Sequence, residues 1–286
     1  MRKWTLIPAA VAMGIGLLGA GCGPKGEPDV TGAGLSKEDA LARLRVVNDL
    51  RMLALTLEGF ADTNDAYPTA DGTPVQKNAV LARARDVEST ILPAGFSWRA
   101  TVLHAFGDDS PGTGRDVFFS LCRNKYPLAP GAGPADNWNR PELKSKPFQA
   151  FIREKPEHAS ETTWDTRYRV FIGNGAAFEP KKQLTRKDFT DGPDKTILIV
   201  EAGEAVPWPK PDELMYDPGQ PLPKLGGMFP NGFYAAFADG TVRFIKNGTD
   251  EKLIRAMITR AGGEPILELP PKVNTEALRK AAGYTD

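Results

Sequence analysis

The chain has 286 residues, 41% hydrophobic and 25% charged, so it can bury a sizeable core, and disorder is excluded as its default state. Setting aside the first 21 residues, which hold Arg2 and Lys3 and no acid, leaves 34 basic against 36 acidic side chains. That near balance, with lysines and arginines scattered among acids, excludes nucleic acid as a partner, because a phosphate-backbone binder gathers a basic excess on one element.

Residues 1–21 have the three parts of an export signal: basic Arg2 and Lys3, an uncharged stretch from Trp4 to Ala20, and small residues before a cysteine. The order Leu17-Leu18-Gly19-Ala20-Gly21-Cys22 resembles a lipobox, with its leucine one place earlier than usual. It predicts cleavage before Cys22 and a membrane anchor through lipid on that thiol. The apolar stretch is shorter than the ~20 residues that span a bilayer and carries Gly and Pro. Gly23 after the cysteine is no aspartate retention signal, which points to an outer membrane where two exist. Residues 22–34 are Gly, Pro and charge without period, a flexible tether of roughly 20 Å by random-coil scaling.

A globular body is expected over 35–268. Its first helix opens at Ser36, whose hydroxyl can cap the backbone while Asp39 completes a capping-box pattern. Ala42, Val46, Leu50, Leu53, Leu57 and Phe60 define an apolar face at steps of four and three; Arg43, Arg45, Asp49 and Arg51 fall mostly on the other side. This helix packs one face on a sheet and ends near Asn64. A second helix is expected over 78–91. The run from Phe96 to Leu103 suits either a strand or a short buried helix, and 127–156 is a long connection pinned by Trp138 and Phe148.

Further on, Arg167 to Ile172 alternates as a strand, and Thr196 to Val200 is continuously apolar, as in a central strand buried on both faces. Phe233–Ala238 and Thr241–Lys246 flank Asp239-Gly240, which predicts a hairpin with a two-residue turn. A last helix starts at Thr249, buries Leu253, Ile254, Met257, Ile258 and Ala261, and stops at Gly262-Gly263. Residues 269–286 read as a charged tail with one short helix. Together these elements predict an α+β fold.

Several segments in this order resemble one family. They are Asn48-Asp49-Leu50 through Phe60 to Asn64 and Tyr67-Pro68; Ser97-Trp98-Arg99; Asn137 to Pro141; Phe171 to Phe178; Asp191-Gly192 before Thr196; Val200-Glu201-Ala202 with Trp208; and Phe237 to Phe244. The chain is similar through them to the domain of unknown function 1559 family, prepilin-type proteins with a C-terminal H-x9-DG pattern. The resemblance implies a pilin-like architecture, a long N-terminal helix on an antiparallel sheet, in exported proteins of largely unassigned role. Phe229 stands where the family has its histidine, and Pro193-Asp194-Lys195 replaces its Ser-Asn run.

Chemistry-bearing residues are few. Once Cys22 is lipidated, Cys122 has no disulfide partner, and with His104 and His158 it makes a poor zinc or nucleophile set, so no metal or other cofactor is expected. Asp191, Glu201 and Asp239 would form a carboxylate site, for calcium or metal-assisted hydrolysis, if they converged. Turn geometry and loop capping also explain each one. Trp138, Trp164 and Trp208 could contact a polysaccharide or peptide, or simply anchor loops on the core. No phosphate loop, dinucleotide fingerprint or Ser-His-Asp arrangement is present. The expectation is a non-enzymatic envelope lipoprotein that contacts the membrane through Cys22 and binds envelope proteins or itself.

Overall fold

A computed structural model describes residues 34–72, 92, 95–106, 113–123, 128, 133–144 and 165–285. The expected export signal, Cys22 and nearly all of the expected tether, the helix expected over 78–91, His158, Trp164 and much of 127–156 lie outside the described residues.

Helix α1 spans Lys37–Asn64. Ser36 Oγ accepts from the Asp39 amide at 3.0 Å, and Glu38 and Asp39 place negative charge in the first turn, where the helix dipole favours it. It ends at Asp65 in the left-handed region. Val46, Leu50, Leu53, Leu57 and Phe60 are buried as the spacing requires, each stabilising by about 1.5–3 kcal/mol. Arg43 and Asp49 correct the expectation of a polar outer face: both are buried. The helix is enclosed by more than a sheet, lying against strands of the body, a short helical turn and the C-terminal helix, so its buried stripe widens to take in Ala40, Val47, Ala54 and Ala61.

The open choice at 96–103 resolves to helix: α2 (Trp98–Thr101) runs into a 3-10 turn (Val102–Ala105). Two further helices are α3 (Gly114–Cys122) and α4 (Pro141–Lys144). The strands are β1 (Asp165–Arg169), β2 (Phe171–Ile172), β3 (Ile197–Pro207), β4 (Leu214–Met215), β5 (Gly232–Phe237) and β6 (Val242–Lys246). The main sheet has order β1-β3-β5-β6, antiparallel throughout, and β2 pairs with β4 in a small parallel sheet. With the helices packed on it, this is an α+β fold.

The expected strand over 167–172 is broken because the Val170 amide donates to Glu213 Oε2 instead of a neighbouring strand. Strand β3 is longer than its apolar run: past Val200 it continues alongside β1, pairing Glu201 with Tyr168 and Val206 with Thr166. Strand β5 is buried along its whole length, because the main sheet is covered on both faces. Leu198, Ile199, Tyr234, Ala236 and Phe244 belong to the core under α1. Ile197, Val200, Phe233, Phe237 and Ile245 meet Ile254, Met257 and Ile258 of helix α5 (Glu251–Ile258).

The β5–β6 hairpin forms, but its turn is not two-residue. Phe237 N donates to Thr241 O and Gly240 N to Phe237 O, leaving Ala238, Asp239 and Gly240 in the loop. Only Gly240 has positive φ, at 77°; Asp239 instead accepts from the Thr241 amide and hydroxyl. Helix α5 is capped by Asp250 rather than Thr249, and Ala261 is exposed beyond its end. The body also continues past 268: Val273 N bonds Val242 O, and α6 (Thr275–Ala281) buries Leu278 against α1.

Candidate functional site

Among the described residues no group of three or more His, Cys, Asp or Glu side chains comes together to hold a metal ion. Asp191 accepts from the Gly262 and Gly263 amides, closing the chain after α5. Asp239 organises the hairpin loop, with Lys272 Nζ 3.8 Å away. Glu201 is fully buried under α1, accepting from the amides of Met228 at 2.9 Å and Tyr234 at 3.2 Å. Burial pushes its carboxyl up to about 7, against the pull of those two donors and of Arg167 and Arg43. The turn and capping readings therefore account for all three acids.

Glu201 belongs to a buried polar layer. Arg43 Nη1 donates to Tyr234 Oη at 3.1 Å, and its guanidinium stacks over Phe229 and Phe244 at 4.6 and 5.3 Å from their centroids. Tyr168 Oη donates to Asp49 Oδ2 at 3.4 Å. Phe229 thus lies beneath a cation from α1.

Among the described residues, one extended buried ionic network escaped sequence reasoning. Arg99, fully buried at the start of α2, donates to the carbonyls of Trp208, Tyr168 and Lys210 and pairs with Glu213 at 2.9 Å. Burial lowers the guanidinium pKa while Glu213 opposes that shift. Arg169, Asp212 and Lys210 extend the network to the surface. The available signal was Ser97-Trp98-Arg99, where an arginine follows two buried residues; its partner, more than a hundred residues away, leaves no local trace.

Among the described residues the tryptophans do not make an exposed row. Trp208 is fully buried and its carbonyl serves Arg99. Trp138 is half-buried, with Lys210 Nζ 5.7 Å from its ring centroid. The Cys122 thiol is pushed up to about 12 by burial, which disfavours the thiolate. His104 stacks between Phe60 and Phe118, with its pKa lowered by burial.

Two hollows remain. The smaller, about 200 Å³, lies where α1 ends and meets the 186–193 segment and the hairpin loop; Glu58, Tyr67, Arg186, Phe189, Pro193, Ala238 and Asp239 line it. The larger, about 670 Å³, is a mainly apolar groove between α5 and residues 264–268, reaching Tyr216 and Pro218. That volume is typical of a binding cleft. Leu267 at its edge is 97% exposed.

Comparison with known proteins returns nothing: no family model matches the chain, and no curated protein or solved structure does.

Proposed function

We propose that the chain is an exported lipoprotein of the cell envelope, cut before Cys22 and held by lipid on that residue, on the outer membrane where there are two. Its body is a pilin-like member of the prepilin-type H-x9-DG family, and its role is non-enzymatic, to hold another envelope polypeptide. The lipobox-like run before Cys22 supports the address, and α1 lying on an antiparallel sheet supports the architecture.

The groove between α5 and 264–268 carries the interaction reading. Leu253, Ala256, Tyr216, Pro265 and Leu267 supply its apolar lining. A leucine left 97% in water costs solubility unless something covers it, and contiguous exposed apolar surface marks interaction sites. The rim selects the occupant. Asp250, Glu264 and Glu268 face the basic residues Lys252 and Arg255, but Arg255 is already held by Glu251 and by the carbonyls of Asp217 and Gln220. The rim is therefore acidic, and it fits an apolar segment of a partner polypeptide flanked by lysine or arginine.

A photo-reactive residue placed at Leu267 of the full-length protein in its native cell tests this. A reproducible cross-link to one envelope polypeptide, abolished by Glu264→Lys with Glu268→Lys, is expected. Cross-links to lipid alone, or a pattern unchanged by the charge reversal, would overturn it. The address is tested separately with Cys22→Ala, which should move the protein out of the membrane fraction.

A further inference from the structure

We propose that the small hollow at the end of α1 is a binding site for a primary ammonium on an aliphatic stem, a lysine side chain or a free alkylamine. This site is independent of the groove along α5.

Three separate stretches of sequence build it, 58–67, 186–193 and 238–239, the middle one supplying Arg186, Phe189 and Pro193. Helix α1 supplies Glu58. The turn after α1 supplies Tyr67, whose amide bonds Leu184 O and whose carbonyl accepts from Gln183, fixing the 183–189 segment against the helix end. The hairpin loop supplies Ala238 and Asp239, tied to the same place by Asp239 N bonding Pro193 O. The floor is thus braced from both sides before any ligand arrives, which lowers the ordering cost of binding.

Its chemistry suits an organic cation. Tyr67 and Phe189 are aromatic neighbours, 5.2 Å between centroids, and with Pro193 and Ala238 they give an apolar floor with aromatic faces. Charge around it is unbalanced. Arg186 ties down Glu58 through Nε at 2.8 Å and also pairs with Asp62, while Glu58 takes the Tyr67 hydroxyl as well. Asp239 spends Oδ1 on Thr241, and Oδ2 has Lys272 Nζ only at 3.8 Å, from a side chain 60% exposed. An exposed pair at that distance neutralises little. Two carboxylates, Glu58 and Asp239, thus line the hollow with one guanidinium, Arg186, which is already bound to Glu58 and Asp62.

A metal ion fits poorly, since both Glu58 oxygens are occupied and hard cations require six or more oxygen ligands. An anion would meet the carboxylates. About 200 Å³, against about 30 Å³ per water in the liquid, holds a handful of non-hydrogen atoms, the size of a short alkylammonium.

The test titrates the full-length protein with n-butylammonium, with lysine capped as amides at both ends, and with neutral butanol and anionic butyrate as controls, by calorimetry or by shifts at Tyr67 and Phe189. Saturable binding of butylammonium, at least about tenfold tighter than butanol and butyrate, is expected. Binding of capped lysine as well identifies a side-chain site, whereas its exclusion identifies free amines. Asp239→Asn should weaken binding about tenfold while keeping the fold, because asparagine can still accept from Thr241 and precede Gly240. No saturation by about 10 mM, equal binding of butanol or butyrate, or undiminished binding in a folded Asp239→Asn protein would overturn the assignment.

Discussion

The two faces of the main sheet are built from different materials. Beneath α5 the contact is mostly apolar, Phe171, Ile197, Val200, Phe233, Phe237 and Ile245 meeting Ile254, Met257 and Ile258, with one buried cation, Arg243, 5.1 Å from the Phe237 ring centroid. Beneath α1 a larger apolar cluster encloses a layer of Arg43, Glu201, Tyr234, Asp49 and Tyr168. An apolar face tolerates many arrangements of similar volume, but a buried arginine or carboxylate is satisfied in only one. The α5 face therefore supplies stability of a generic kind, whereas the α1 face fixes helix position and ties stability to pH.

Truncations should separate the two. Phe237→Ala, which empties a fully buried ring position on the apolar face, is expected to cost about 3–5 kcal/mol in denaturant unfolding, nearly independent of pH. A loss under about 1 kcal/mol would mean that this face is loosely packed. The pH response should belong to the other face. The Glu201 carboxyl is raised in the folded protein from its ordinary 4.5 to about 7, so folding retains the proton more strongly than the unfolded chain does. Its stabilising contribution is fully present below about pH 4.5 and is lost as pH rises through 7, a change on the order of 3 kcal/mol. Thermal melts at pH 5 and pH 8 should show this, and Glu201→Gln should flatten the difference; an equal slope in both proteins would sink the attribution.

Arg43→Met is expected to cost less, about 1–3 kcal/mol, because it strands the Tyr234 hydroxyl and removes a cation from above Phe229 and Phe244 while keeping an apolar stem. Coupling measured against Tyr234→Phe in a double-mutant cycle would sharpen the comparison. The smallest effect belongs to the surface. Leu267→Asp should change stability by no more than about 0.5 kcal/mol, since its side chain touches neither face, while abolishing partner capture at the groove.

The α1 boundaries were legible because caps and stops are local chemistry: Ser36 with Asp39 at one end, Asn64 before Tyr67-Pro68 at the other. The hairpin was legible from its β-branched and aromatic runs and its Asp-Gly. The length of its turn was not, since a two-residue turn and a three-residue loop with a left-handed glycine use the same dipeptide and differ only in strand register. Arg43 and Asp49 were misplaced because helical spacing assigns a charge to the wet side, and only a second packing partner brings that side into the core. The carboxylate cluster suggested by Asp191, Glu201 and Asp239 did not form: each acid has backbone donors of its own, Asp239 at Thr241, Glu201 at Met228 and Tyr234, and Asp191 at Gly262 and Gly263.

By itself the sequence determined α1, the β5–β6 hairpin and α5, since propensity, capping and hydrophobic period act over a few residues. It also determined the expected address, a matter of the order of residues around Cys22. Only the tertiary structure decided that Arg99 meets Glu213, that Arg43 lies over Phe229, and that Glu58, Tyr67, Arg186 and Asp239 surround one hollow. Those meetings join positions up to nearly two hundred residues apart, and their energies depend on burial, which no local pattern encodes.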